Sequence, residues 1–205
     1  MIKNVIFDWS GVVKDCVLDQ LVVANKKFKH FGVKEISMEE LKEEWCQPWM
    51  DFYKKYITSI TMEEQEVFYK KAILESPKAK SYPGIPELIK KIKESGAKVF
   101  VVSSDYAETI LGEVKDWGLE GIFDSVIFGV HDKEEAVCKI VESGNLEKDS
   151  TIFVGDSNHE IEVGKKLGIK IIAVTWGFTS ENKLKSHNPD FVAHNLEELE
   201  KIILG

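Results

Sequence analysis

NVIFDWSGVVKD, residues 4–15, decides how the rest of the chain is read. An apolar run, Val5 to Phe7, ends on the carboxylate of Asp8, and three residues later comes Gly11. A buried strand followed at once by an acid and a glycine puts a polar group at the strand's tip, where ligands meet open α/β sheets. Ser10, two places on, is a hydroxyl and not a second acid.

Outward from this stretch, apolar strands alternate with helical periodicity. Leu18, Leu21, Val22, Phe28 and Phe31 recur at mostly 3–4 spacing, which predicts a helix from about Val17 to Phe31. Ser37 with Glu40, and Thr61 with Glu64, make capping-box patterns, and Pro48 should interrupt the helical stretch between them. No strand is expected in this block. After SYPGIP, residues 81–86, Pro86 suits a helix N-terminus, Gly96 a C-terminal cap, and KVFVVSS (98–104) a buried strand. Helices in the Tyr106–Trp117 region and at 133–143, 160–168 and 196–204 then alternate with strands SVIFG, TIFVG and KIIAVTW. Strands alternating with helices imply a parallel sheet covered on both faces. The expected fold class is therefore α/β: a parallel-sheet, Rossmann-like core from residues 1–13 and 81–205, with residues 14–80 inserted as an all-helical cap.

Composition narrows the function. A chain of 205 residues with 43% apolar content can bury one sizeable core. Its net charge of -8 argues against a nucleic-acid surface. All 27 basic residues are Lys, so an anionic ligand must be held by ammonium, backbone N–H, hydroxyl or metal, never by a guanidinium. No apolar run approaches the roughly 18 residues that a membrane helix needs, and the first residues do not read as an export signal. A soluble cytoplasmic protein is expected. Cys16, Cys46 and Cys138 lack metal-type spacing and read as reduced thiols.

Polar residues follow four of the apolar runs: Asp8, then Ser103 and Ser104, then Lys133, then Asp156. Singly, an acid at a strand end reads as a helix cap and a lysine as a solvated side chain. Together they make an anion and metal site at one edge of the sheet. These residues resemble the motifs of the haloacid dehalogenase superfamily, dominated by phosphatases. FDWSGV matches its first motif at Asp8, Gly11 and Val12; VFVVSS its second at Ser103; GVHDKEEAV its third at Lys133; VGDSNHEIEVGKKLGI its fourth at Asp156 and Glu160. The resemblance spans nearly the whole chain, the helical insertion included.

The resemblance implies a Mg²⁺-dependent hydrolase of a small phosphorylated molecule, with Asp8 as nucleophile. Asp8, Asp156, Glu160 and the backbone carbonyl of Ser10 would hold the metal, with Glu160 either ligating through water or orienting Lys133. Ser103 would bind a phosphoryl oxygen, with Ser104 and Gly11 beside the substrate, and Lys133 would neutralise charge on the aspartyl-phosphate. Ser10 departs from the pattern, because family phosphatases usually carry there a second Asp that protonates the leaving alcohol. Such help is worth about 10² to 10⁴ in rate.

Three readings stay open: a hydrolase that draws its acid from elsewhere or has a good leaving group, a C–X bond hydrolase, or a phosphate-binding protein that has lost catalysis. For the second, DWSG resembles the DWAG of phosphonoacetaldehyde hydrolases, whose cap lysine has a loose counterpart in Lys54 or Lys55. The dehalogenases themselves use an Arg that this chain lacks. His131 and His159 flank the motifs and read first as surface residues. Trp45, Trp49, Phe52 and Tyr53 read as cap core, with a substrate-pocket lining as the second reading.

Overall fold

The computed structural model describes residues 1–75, 78–130 and 132–205. The chain enters through β1 (Asn4–Phe7) and a two-residue β2 (Lys14–Asp15), then forms α1 (Val17–His30), α2 (Met38–Glu44), α3 (Trp49–Tyr56) and α4 (Met62–Glu75). It returns through β3 (Lys80–Ser81), antiparallel to β2. Then follow α5 (Ile85–Glu94), β4 (Lys98–Val102), α6 (Ala107–Asp116), β5 (Ser125–Ile127), α7 (Lys133–Ser143), β6 (Thr151–Gly155), α8 (Asn158–Leu167), β7 (Lys170–Val174), α9 (Glu181–Ser186), β8 (Phe191–Ala193) and α10 (Leu196–Leu204).

Six strands form one parallel sheet in the order β5-β4-β1-β6-β7-β8. The chain builds outward from β1 to β5, then crosses back to β6 on the other side of β1. The crevice beyond the carboxyl end of β1 is thus the switch point at which such sheets bind ligands. Alternate residues feed two cores. Val5, Phe7, Val99, Val101 and Val154 pack against Leu88, Ile110 and Leu199, while Ile6, Phe100, Val102 and Phe153 pack against Val137, Ile140 and Ile161. Both faces of β1 are buried, which explains its unbroken apolar run.

The helical insertion has its own core, in which Phe28, Leu41, Trp45, Phe52 and Tyr53 are buried. Ser37 caps α2, its Oγ accepting from Glu40 N–H, and Pro48 ends the connection to α3. The Thr61 hydroxyl and Glu64 carboxylate close the box at the start of α4. The β2–β3 ribbon at the neck of the insertion departs from the strandless reading of 14–80; two residues are too few to show a period. β8 and α9 were equally invisible, being three and six residues long. Among the described residues, no helix is long and apolar enough to cross a membrane.

Candidate active site

The tips of β1 and β6 and the first turns of α7 and α8 meet at the switch point. Lys133 opens α7, and its Nζ lies 2.7 Å from Asp8 Oδ2 and 2.7 Å from Glu160 Oε1. The other Glu160 oxygen accepts from Ser157 N–H at 2.8 Å and Ser157 Oγ at 2.5 Å, the capping box of α8. Asp8 Oδ1 accepts from Trp9 N–H at 2.6 Å, and Asp156 Oδ2 from Phe178 N–H at 2.6 Å. One oxygen of each of Asp8, Asp156 and Glu160 lies within 4.8 Å of the other two. Gly11, at φ +83°, is required here: a Cβ on it would strike Asp156 Oδ2.

All four charged groups are buried. Burial pushes Asp8 up to about 7, with Glu160 adding to the rise and Lys133 opposing it. Burial, then the charges of Asp8 and Glu160, drive Asp156 well above the usual carboxylate range. Glu160 goes the other way; its burial is outweighed by Lys133 and Ser157, which hold it ionised. Burial opposes charge on Lys133 too, but Asp8 and Glu160 outweigh it and raise its pKa. The centre therefore holds three acids against one cation. An all-oxygen donor set short of positive charge suits a hard divalent cation such as Mg²⁺.

A second buried cluster adjoins the first. Ser10 Oγ donates to Asp105 Oδ2 at 2.7 Å, and Lys14 Nζ reaches the same oxygen at 3.3 Å and Glu113 Oε1 at 2.8 Å. Trp9 Nε1 donates to Glu113 Oε2 at 2.6 Å. Sequence reasoning missed this group. Asp105 carried a signal, an acid directly after the second strand tip in SSDY; Lys14 and Glu113 carried none.

Between core and insertion lies a cavity of about 410 Å³. Asp8, Ser10, Lys14, Ser104, Asp105, Lys133 and Asp156 form its floor; Gln20, Trp45, Trp49, Tyr53, Gln65 and Tyr69 face it from the helical side. Ser104 lines it, whereas Ser103 is fully buried beneath, its Oγ accepting from Asp105 N–H at 3.0 Å. Cys16 lines it as well, but burial pushes its thiol up and away from the nucleophilic thiolate.

A family model described as haloacid dehalogenase-like hydrolase matches residues 5–174. The chain belongs to that family. A phosphoglycolate phosphatase from Aquifex aeolicus is 28% identical over 98% of this chain and 96% of its own. Pyrophosphatase PpaX from Halalkalibacterium halodurans is 31% identical over 60% of this chain and 59% of its own. In fold, the chain resembles a haloacid dehalogenase-like family hydrolase from Streptococcus pneumoniae, with TM-score 0.77 and 20% identity over 99% of this chain and 98% of the other.

This haloacid dehalogenase-like hydrolase brings Asp8, Ser10, Lys133, Asp156 and Glu160 into one site and sets Ser104 in its wall. It does not bring the DFYKKY lysines there. Lys54 is exposed, and Lys55 turns away to the Glu44 carbonyl at 2.7 Å. His159 Nε2 lies 3.5 Å from Asp132, off the cavity, and His131 lies outside the described residues. Trp45 and Tyr53 fill both of their expected places, being buried in the cap core with one face on the cavity.

Proposed function

We propose that the protein is a Mg²⁺-dependent phosphatase of a small phosphorylated metabolite, working through an aspartyl-phosphate on Asp8. The observation that carries this reading is the Asp8 carboxylate at the cavity floor, bound to Lys133 at 2.7 Å and clustered with Asp156. The phosphatase names of its relatives support it.

Asp8, Asp156 and the Ser10 carbonyl would hold the cation, which supplies Lewis-acid charge on phosphoryl oxygen when bound. Glu160 is committed to Lys133 and Ser157, so it positions the lysine. An Asp8 carboxylate oxygen attacks phosphorus as the ester P–O bond breaks, and the leaving oxygen takes up a proton from water. Lys133 neutralises the phosphoryl charge, and Ser104, in the cavity wall, offers its hydroxyl to a phosphoryl oxygen, whereas Ser103, expected in that role, lies beneath the wall and holds the Asp105 amide. Water then attacks phosphorus, releasing phosphate and restoring the carboxylate. A carboxylate still stands beside Ser10, but it is Asp105.

Initial rates with Mg²⁺ on phosphorylated metabolites, acetyl phosphate and phosphonoacetaldehyde, for wild type and Asp8→Asn, test the reading. Turnover of phosphate esters that Asp8→Asn abolishes is the expected result. Cleavage of phosphonoacetaldehyde alone, or no turnover of any substrate, overturns it.

A further inference from the structure

We infer that Phe178 couples the seating of the helical cap to the position of Asp156, so that a closed cap and a metal at Asp156 favour one another. The inference rests on the metal-dependent reading above. Phe178 lies in the loop after β7, in the α/β core, yet its ring belongs to the cap's apolar cluster. It stacks on Trp45 with centroids 4.6 Å apart and planes at 21°. Its backbone N–H donates at 2.6 Å to Asp156 Oδ2. One residue thus has its side chain in the cap and its amide on the carboxylate.

The carboxylate has little freedom to ignore that amide. A Cβ on Gly11 or on Gly177 would strike Asp156 Oδ2, so the group is wedged between two glycine backbones. Gly177 immediately precedes Phe178, so a shift of this loop moves both the wedge and the donor. The loop is also latched to the end of α2. Ser180 N–H donates to the Lys42 carbonyl at 2.9 Å, Ser180 Oγ to Glu43 Oε2 at 2.7 Å, and Lys183 Nζ to the Glu43 and Trp45 carbonyls at 2.7 Å each. Lifting the cap must either break this latch and the ring stack or drag the loop off Asp156. Groups that orient a metal ligand typically change metal affinity by about 10- to 100-fold when lost. Linkage makes the coupling reciprocal.

Titration calorimetry of Mg²⁺ into the whole chain tests this, with circular dichroism as the folding check. Trp45→Ala removes the ring against which Phe178 stacks and should weaken Mg²⁺ binding about tenfold or more. Trp45→Phe keeps an aromatic partner and should bind like wild type; a merely structural tryptophan would give no such recovery of metal affinity. Lys183→Ala loosens the latch without removing any side chain of the cap core and should weaken binding in the same direction, and it decides the matter if Trp45→Ala does not fold. Wild-type affinity in Lys183→Ala and in folded Trp45→Ala overturns the coupling and leaves the phosphatase reading standing. Absence of Mg²⁺ binding by wild type overturns both.

Discussion

The Ser10 hydroxyl donates to Asp105 Oδ2 at 2.7 Å, joining the tip of β1 to the tip of β4. Lys14 Nζ holds the same oxygen at 3.3 Å. The site therefore does not lack a carboxylate near the position where family phosphatases usually carry their second Asp. The acid comes from another strand, and Ser10 supplies its hydrogen bond.

Ser10→Asp alone would place two carboxylates within hydrogen-bond reach, forcing one to take up a proton or to swing away. The exchange Ser10→Asp with Asp105→Ser avoids this, and it should raise alkyl-phosphate turnover above that of the single variant. The ceiling is the general-acid range of about 10² to 10⁴. Paired kcat measurements on one alkyl and one aryl phosphate check it. A full gain from Ser10→Asp alone would show that Asp105 does not interfere.

Asp156→Asn should separate stability from function. The buried carboxylate is repelled by Asp8 and Glu160, while an amide keeps an acceptor for the Phe178 N–H. Without metal, the variant should melt several degrees above wild type, by about 1–3 kcal/mol. With Mg²⁺ the order should reverse, because only wild type gains from the ion. Thermal melts with and without Mg²⁺ read both; a variant that Mg²⁺ still stabilises would remove Asp156 from the metal site.

The strand tips and helix caps were legible because each is written within a few residues. Val5–Phe7 before Asp8, Thr151–Gly155 before Asp156, and the Ser37–Glu40 and Thr61–Glu64 boxes need no distant partner. The split of the hydroxyls was not legible: Ser103 and Ser104 are neighbours in sequence, and only the turn after β4 sends one inward and the other to the cavity. Asp105 stood at a readable strand tip, but its pairing with Ser10 and Lys14 did not show, and Glu113 gains meaning only from Trp9 and Lys14, far earlier in the chain. Phe178 reads as an ordinary apolar loop residue until the cap is packed on it. Local rules capture what a segment does to itself, and these residues act across segments.

Lys133→Met should be costly twice. It leaves Asp8 and Glu160 buried without their shared cation, a change worth about 3–5 kcal/mol where a buried pair is broken. It also removes the charge proposed to meet the phosphoryl group, and no arginine exists to replace it. Binding of fluoroberyllate or phosphate in the presence of Mg²⁺ should fall at least tenfold. Lys139, exposed and paired with Glu135 at 2.6 Å, is the control, and Lys139→Ala should bind like wild type. Equal loss in both variants would mean that the effect is general charge and not the site.

Lys27 is a buried titratable group that the proposed chemistry leaves idle. It comes from α1, is wholly buried, hydrogen-bonds Gln65 Oε1, and lies 3.5 Å from the centroid of the Tyr53 ring. No carboxylate pairs with it among the described residues. Burial lowers its pKa from 10.5 to about 7. The sign follows: between those values the unfolded chain binds the proton that the folded cap rejects, so the stability of the fold rises with pH from about 7 to 10.5. Below pH 7 the penalty is complete, since the folded state must then carry a buried ammonium. Lys27→Met keeps an unbranched, slightly shorter side chain and removes the charge, so it should stabilise the protein by about 1–4 kcal/mol at pH 7. The gain should shrink steadily toward pH 10. Urea unfolding of both proteins at pH 7, 8.5 and 10 measures the difference, in which every other titrating group cancels. A gap that stays constant across this range would show that Lys27 keeps an ordinary pKa in the folded cap, with Gln65 and the Tyr53 ring together sustaining its charge.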